Sequence, residues 1–527
     1  MIRLLAICVL AAAYLAGPAG AETFRIVVVP GLELADLQAL ESRGAVGLLV
    51  PAAGPTTSGA EARAALVRGA VSDSLSGHRP SGSPLLSFET AARPPTSGPA
   101  IVLGLPSGGR QLNNRRYPIA VIGRGYMGIL VSSSTRIPGL VSIADVAPTA
   151  LGSEVALRWE TEGRPTTRIL ALDQRIRDNR ISGRASSVLA AALILLLAYL
   201  VPGAAVFGFA AALGANLALG AAGSSEPWVV ILAIGLAVAL GSPLLARVFR
   251  TPTAVGFVLA AVVLAYLIVL GVDGTAVSLA PLGPTQNSRF YGISNQVEAM
   301  LLVPAFAGAA LLLRRFGPAA FVAVALVSLV AIAGDRFGAD GGGAIVLGVG
   351  YATLAVTLAG GGRRVAVAGF AAAAGLVALL VGIDAATGGS SHVTRAVRRG
   401  PTSLASDLRD RAALSFDRAV IHWYTALLVC VALAALLLLT ARLLRASVPD
   451  RDRAVPLALA AATLISLVVN DSPVEVAVCG LVGFVAVSMG RLAPDAPLLP
   501  PGHAPLRAPV RPRRGRLRRR ENGHTDS

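Results

Sequence analysis

Lysine is missing from the 527-residue chain, so all 46 basic side chains are arginine. Charge of either sign is scarce, at 14% of residues against roughly a quarter in an ordinary soluble protein. Cysteine is nearly absent: Cys8 lies in an apolar N-terminal run, and Cys430 and Cys479 lie in later apolar blocks. The polar N-terminal third after that run therefore has no thiol, which excludes a disulfide framework and a thiolate zinc site there. What fills the chain instead is apolar, at 54% of residues.

The arginine surplus gives a formal net charge of +17. Such a surplus usually directs attention to nucleic acid. Here the arginines gather in short segments between apolar blocks and in the C-terminal tail, a pattern of membrane topology, and no nucleic-acid partner is expected. The lysine-free composition, rich in alanine and glycine, points to a GC-rich bacterial genome.

Residues 1–21 carry Arg3, an apolar run from Leu4 to Ala16 and the small residues Ala19-Gly20-Ala21, which read as a secretory signal. Residues 22–185 alternate short apolar strands with helical stretches, an exported α/β domain. Strands are expected at Phe24–Val29, Ala45–Val50, Ala100–Leu105, Ile119–Ile122 and Ile129–Ser132, and helices at Leu34–Arg43 and Ala60–Gly69. Residues 76–99 read as a loop, and 167–185 as a polar helix leading into the membrane. From 186 to 490 about eleven apolar blocks follow, each long enough to cross roughly 30 Å of hydrocarbon as a helix. They lie near 186–203, 204–221, 228–246, 253–271, 295–313, 317–334, 341–359, 365–383, 420–439, 454–470 and 474–490. Residues 491–527 are expected to form a basic, disordered cytoplasmic tail. The expected fold is thus an α-helical polytopic membrane domain plus a small N-terminal α/β extracytoplasmic domain. An exported N-terminus and an odd number of spans put the tail inside, at the bacterial plasma membrane. Arg247, Arg250, Arg314, Arg315, Arg363, Arg364, Arg442 and Arg445 fall in the inner segments of that topology.

Three segments of the exported domain resemble the alkaline phosphatase and sulfatase superfamily in shortened form. Val27-Val28-Val29-Pro30-Gly31-Leu32 is similar to its first strand. Gly44 to Leu48, Gly54-Pro55-Thr56-Thr57-Ser58 and Ala65 to Gly69 resemble the nucleophile region. Pro138 to Val141 with Asp145-Val146-Ala147-Pro148-Thr149 resemble the closing strand and helix. The resemblance implies metal-activated hydroxyl chemistry, but the ligands it requires do not carry over. Pro30 stands where the first aspartate is expected, and Gly123-Arg124-Gly125 replaces the Asp-His pair. His78 is the only histidine in the domain. A non-catalytic binding or assembly module is expected, with no metal and no cofactor. Gly123 to Gly128 also fits G-x-G-x-x-G, but a strand-like run follows where a dinucleotide site needs a helix.

The unusual polar residues of the membrane domain collect on the outer side of this topology. Arg289, Tyr291, Asn295 and Glu298 precede and enter the fifth block, with Asn295 and Glu298 three apart on one helix face. Arg336 and Asp340 lie in a glycine-rich turn, His392 and Arg395 in an outer loop over 384–419, and Asn470 and Asp471 in the last turn. Charge beside hydrocarbon is costly, so such groups face a cavity or a partner. Arg289, Asn295, Asp340 and Asp471 are expected to meet in one cavity, with Gly341 to Gly343 allowing close backbone approach to a ligand. His422-Trp423-Tyr424 reads as an aromatic interface belt. Arg289 to Asn295, Gly338 to Gly342 and Asn470 to Ser472 resemble motifs of a group of bacterial polytopic membrane proteins with a degenerate phosphatase-like outer domain. That resemblance implies the architecture and no activity.

Three functions fit these residues. The first is transport or assembly of an anionic or lipid-linked envelope molecule, with membrane lipids and a lipid-linked precursor as partners. The second is a lipid-linked glycan ligase or polymerase, in which the arginines grip a pyrophosphate and His392 acts as base. The third is an ion-coupled channel or transporter using Glu298, Asp340, Asp471 and Glu475. The topology is testable directly. In a background lacking Cys430 and Cys479, Ser391→Cys should react with an impermeant maleimide in intact cells and Arg513→Cys should not; the reverse pattern contradicts the assignment.

Overall fold

The computed structural model describes residues 23–72, 83–123, 125–153, 156–284, 286, 290–334, 337, 341–362, 364, 367, 369–371, 375 and 401–490. Residues 1–22 and 491–527 and most of the block near 365–383 lie outside these residues, as does His78.

The N-terminal region is a mixed sheet covered on both faces. Its strands are β1 (Arg25–Val28), β2 (Gly44–Val50), β4 (Glu89–Thr90), β5 (Ala100–Leu103), β7 (Tyr117–Ile122), β8 (Gly128–Ser132), β9 (Leu140–Ser142) and β10 (Leu157–Glu160). They run in the order β10-β8-β2-β7-β5-β1-β4, with β9 pairing β2, and the short strands β3 (Thr56–Thr57) and β6 (Gln111–Leu112) pair separately. The central strand β2 is buried at every position, consistent with its unbroken apolar run, and lies antiparallel to β7 and parallel to β8. Every expected strand is present, while the stretch 76–99 read as a loop also contributes β4 at the sheet edge. After Gly123 the chain enters β8, a strand and not a helix.

One face packs on helices α2 (Gly59–Arg68) and α3 (Val146–Ala150). The other is covered by α1 (Leu37–Leu40) and by Ile169 and Ile176 of a long helix, α4 (Pro165–Leu200). This helix has 36 residues, and the boundary expected at 185/186 falls inside it. Its first half is polar, and from Ala185 to Leu200 it carries no charge. Near its start, Arg168 donates to Glu162 at 2.6 Å, which holds the Glu162 carboxyl below the usual carboxylate range.

Proline marks the starts of most of the apolar helices, where its missing N–H is not needed and its fixed φ is already helical. The helices are α5 (Pro202–Ala221), α6 (Pro227–Val248, with a π turn at Ala237–Gly241), α7 (Pro252–Val272) and, after the short α8 (Gly274–Ser278), α9 (Asn295–Phe316). Then come α10 (Pro318–Ala333), α11 (Gly341–Leu358), α12 (Pro401–Val420), α13 (Trp423–Arg445), α14 (Asp450–Val469) and α15 (Pro473–Gly490). Among the described residues, eight helices are long and apolar enough to cross a membrane, α4 to α7, α9 and α13 to α15, and two apolar helices, α10 and α11, are shorter. The chain is therefore a membrane protein by composition. Residues 401–420, read as part of a loop, form helix α12. Helix α9 is the centre of the bundle, with 89% of its apolar window buried. Asn216 of α5 is buried there, donating to Tyr266 of α7 at 3.0 Å and accepting from the Leu282 N–H at 2.9 Å.

The two regions are joined by more than α4. Asp173 is 2% exposed and accepts from Arg116 of the sheet region, with Arg177 3.0 Å from its other oxygen. Arg175 donates to the carbonyls of Leu279 (3.1 Å) and Gly220 (2.8 Å), and Asn179 donates to Leu279 at 2.8 Å. The Arg136 guanidinium lies 4.0 Å from the centre of the Tyr291 ring. Removing one partner of the buried pair strands the other charge. Arg116→Ala should therefore lower stability by about 3 kcal/mol in thermal or denaturant melts of the purified protein. Arg177→Ala, at the exposed end of the same carboxylate, should cost less than about 1 kcal/mol. Equal losses would show that Asp173 does not depend on Arg116.

Candidate functional site

Ser294 builds the start of α9. Its hydroxyl accepts from the Val297 N–H at 3.1 Å, capping the helix, and donates to the Leu282 carbonyl at 2.6 Å. The first turn thus presents Asn295 and Glu298 on one face, and that face meets the Asn470–Ser472 turn between α14 and α15. Asn295 Nδ2 donates to Asp471 Oδ1 at 2.6 Å and to Ser472 Oγ at 3.2 Å. Asn470 Nδ2 donates to both Glu298 oxygens at 3.3 Å and to Ser466 Oγ at 2.9 Å. Glu298 is 1% exposed and Asn470 3%, so these polar groups are deep in the helix bundle. Burial of such groups is costly without hydrogen bonds, and the 466–472 segment supplies them.

Arg418, near the end of α12, completes the cluster. Its Nη1 lies 2.8 Å from Asp471 Oδ2 and donates to the Asp471 carbonyl at 2.5 Å. Asp471 therefore receives an amide on one carboxylate oxygen and a guanidinium on the other, which fixes its orientation. Ser415 of α12 anchors the same helix through the Leu467 carbonyl at 2.7 Å. Gly343 of α11 lies against Glu298, where a Cβ would stand 3.2 Å from the carboxylate and 2.4 Å from Ile332 Cγ2. The close approach expected of the glycine run is made to a side chain of the protein itself.

Of the ten residues singled out from the sequence, Asn295, Glu298, Asn470 and Asp471 come together here. Tyr291 instead stacks under Arg136 of the N-terminal region. Arg289, Arg336, Asp340, His392 and Arg395 lie outside the described residues. Arg418 had no place among the expected residues. Its signal was available: Pro401 followed by a glycine-free run to Val420 starts and sustains a helix inside the apparent loop. Trp423 and Tyr424 are exposed at the start of α13.

In the sheet region, Thr57 is 1% exposed and its Oγ1 is buried without a hydrogen-bond partner, while Thr56 accepts from Arg110 at 3.0 Å. Asp145 accepts from the Ser132 hydroxyl, from the Ser134 hydroxyl at 2.7 Å and from the Ser134 N–H at 3.2 Å. That carboxylate is engaged in closing the β8–β9 connection. Among the described residues no group of three or more His, Cys, Asp or Glu side chains is placed to hold a metal ion.

Compared with protein-family models, curated proteins and solved structures, the chain matches none.

The Asn295–Asp471–Arg418 contacts form one unit. Asn295→Ala and Arg418→Ala should each destabilise the purified protein, and the double variant should lose less than the sum. The coupling should be about 0.5–3 kcal/mol, read from unfolding in mixed micelles. Additive losses would mean the two side chains act on Asp471 independently.

Proposed function

We propose that the protein transports or assembles an anionic or lipid-linked envelope molecule through a polar cavity on the outer side of a bacterial plasma membrane, with its N-terminal region outside and its C-terminus in the cytoplasm. The carrying observation is the convergence of polar groups from three separate segments beside the N-terminal region: Asn295 and Glu298, Asn470 and Asp471, and Arg418. Ionisable groups in a membrane domain cost several kcal/mol unless they are paired or line a cavity, and such clusters belong to pathways more often than to packing alone. The N-terminal region, in this proposal a shortened non-catalytic relative of the phosphatase superfamily, acts as a docking module for the same molecule. Its Asp145 carboxylate is occupied by serine donors, which suits binding or assembly better than metal chemistry.

A deletion strain tests the proposal through lipid and glycan profiling. An anionic, lipid-linked species should accumulate in the deletion and clear on return of the wild-type chain. It should fail to clear with Asn295→Ala/Asp471→Ala at matched protein level. An unchanged profile in the deletion sinks the proposal.

A further inference from the structure

Where α4 leaves the sheet region it forms one wall of an open cleft of about 90 Å³, with residues of Ser278–Pro284, Gln286, Gln296 and Glu475 on the other walls. The floor is tight. Gly183 packs on the Pro281 carbonyl, and a Cβ there would stand 2.2 Å from that oxygen. Arginine is concentrated on this helix, and most of it is in use. Arg168, Arg175 and Arg177 have the carboxylate and carbonyl partners described above. Among the described residues, Arg180 and Arg184, one turn apart on the cleft wall, have none. Glu475, exposed across the cleft, forms no ion pair with either arginine.

A second, independent feature lies in another wall of the cleft. Gln286 is 3% exposed and holds a left-handed backbone, φ 59°, which a residue with a side chain adopts only under constraint. Its Nε2 donates to the Ser278 carbonyl at 2.8 Å, and its Oε1 is buried without a donor. Asn179 repeats the arrangement: Nδ2 is committed to the Leu279 carbonyl, and Oδ1 is buried without a donor. The cleft therefore combines two guanidinium groups lacking an anion with two amide oxygens lacking a hydroxyl or amine.

We propose that this cleft binds a polyol phosphate, its phosphate held by Arg180 and Arg184 and its hydroxyl groups donating to Gln286 and Asn179. Guanidinium groups match phosphate oxygens in geometry as well as charge. The depth suits a lipid headgroup. Arg184 is the last charged residue before the uncharged half of α4, and Ile181, Val188 and Leu195 form an exposed stripe seven residues apart that begins at the same level. A headgroup in the cleft would leave its acyl chains along that stripe. The proposal deepens the envelope-molecule function above by naming the ligand chemistry, and rests on it for the ligand's role.

The test is binding by the full-length purified protein in neutral detergent, a readout that does not depend on any transport phenotype. Phosphatidylglycerol, phosphatidylcholine and soluble glycerol 3-phosphate are the probes, measured by thermophoresis and by retained lipid in native mass spectra. Phosphatidylglycerol should bind in preference to phosphatidylcholine, and Arg180→Gln/Arg184→Gln should weaken it at least roughly tenfold. Arg184→Gln alone, at an exposed position, gives an intermediate loss and guards against misfolding of the double variant. Arg315→Gln, at the far end of α9, should leave binding unchanged. If glycerol 3-phosphate binds as tightly and with the same arginine dependence, the ligand is a soluble polyol phosphate. Binding that ignores both arginines, or no binding of either phosphate, overturns the proposal. Arginine-dependent binding with an unchanged lipid profile in the deletion strain would instead remove the transport proposal and keep the site.

Discussion

Hydrocarbon gives the backbone no partner for its N–H and C=O groups, so every segment that crosses it must satisfy those groups internally. Helix α4 meets that constraint while also packing on the sheet region. Its hydrogen-bonded backbone runs from Pro165 to Leu200 without interruption, about 54 Å at 1.5 Å per residue. Ile169 and Ile176 are core residues of the sheet region, and Ile194 and Leu197 are core residues of the helix bundle. The two hydrophobic cores are therefore joined by one rigid element. In the polar layer between them, Asp173 is paired with Arg116 and Arg175 donates to the carbonyls of Leu279 and Gly220, so these buried groups are satisfied at the junction.

The cluster and the cleft share elements as a result. Asn295 faces Asp471, while the next residue, Gln296, lines the cleft and donates to Ser187 of α4. Asp471 belongs to the turn that leads into α15, and Glu475 of α15 lines the cleft. Groups at one site are thus one helical turn from groups at the other. A ligand that displaced Gln296 would act on the same turn of α9 that positions Asn295.

Periodicity made much of the fold legible. Apolar blocks of helical length and short β-branched runs placed most helices and all the main strands within a few residues. Within the membrane domain, Asn295 and Glu298 stood out because they share a face, and Asn470 and Asp471 because they interrupt an apolar stretch. Their pairing did not, since Asn295 and Asp471 are 176 positions apart and only packing brings them together. Arg418 was hidden because a charged amphipathic helix resembles a polar loop in composition. Arg180 and Arg184 were hidden for a different reason: in sequence they are two of many arginines on a polar helix, and only the accounting of partners separates them from Arg175 and Arg177.

Helices α4 and α9 differ in one covalent detail. Pro304 lies inside α9 and has no N–H to offer the carbonyl of Met300, so one rung of the ladder is absent near the middle of the most buried helix. A rod with a missing rung bends there more easily than elsewhere. Mechanically, α4 is a stiff strut and α9 a jointed one. Asn295 and the Arg314–Arg315 pair lie on opposite sides of that missing rung, whereas no proline after Pro165 interrupts α4 between the sheet region and its last turn.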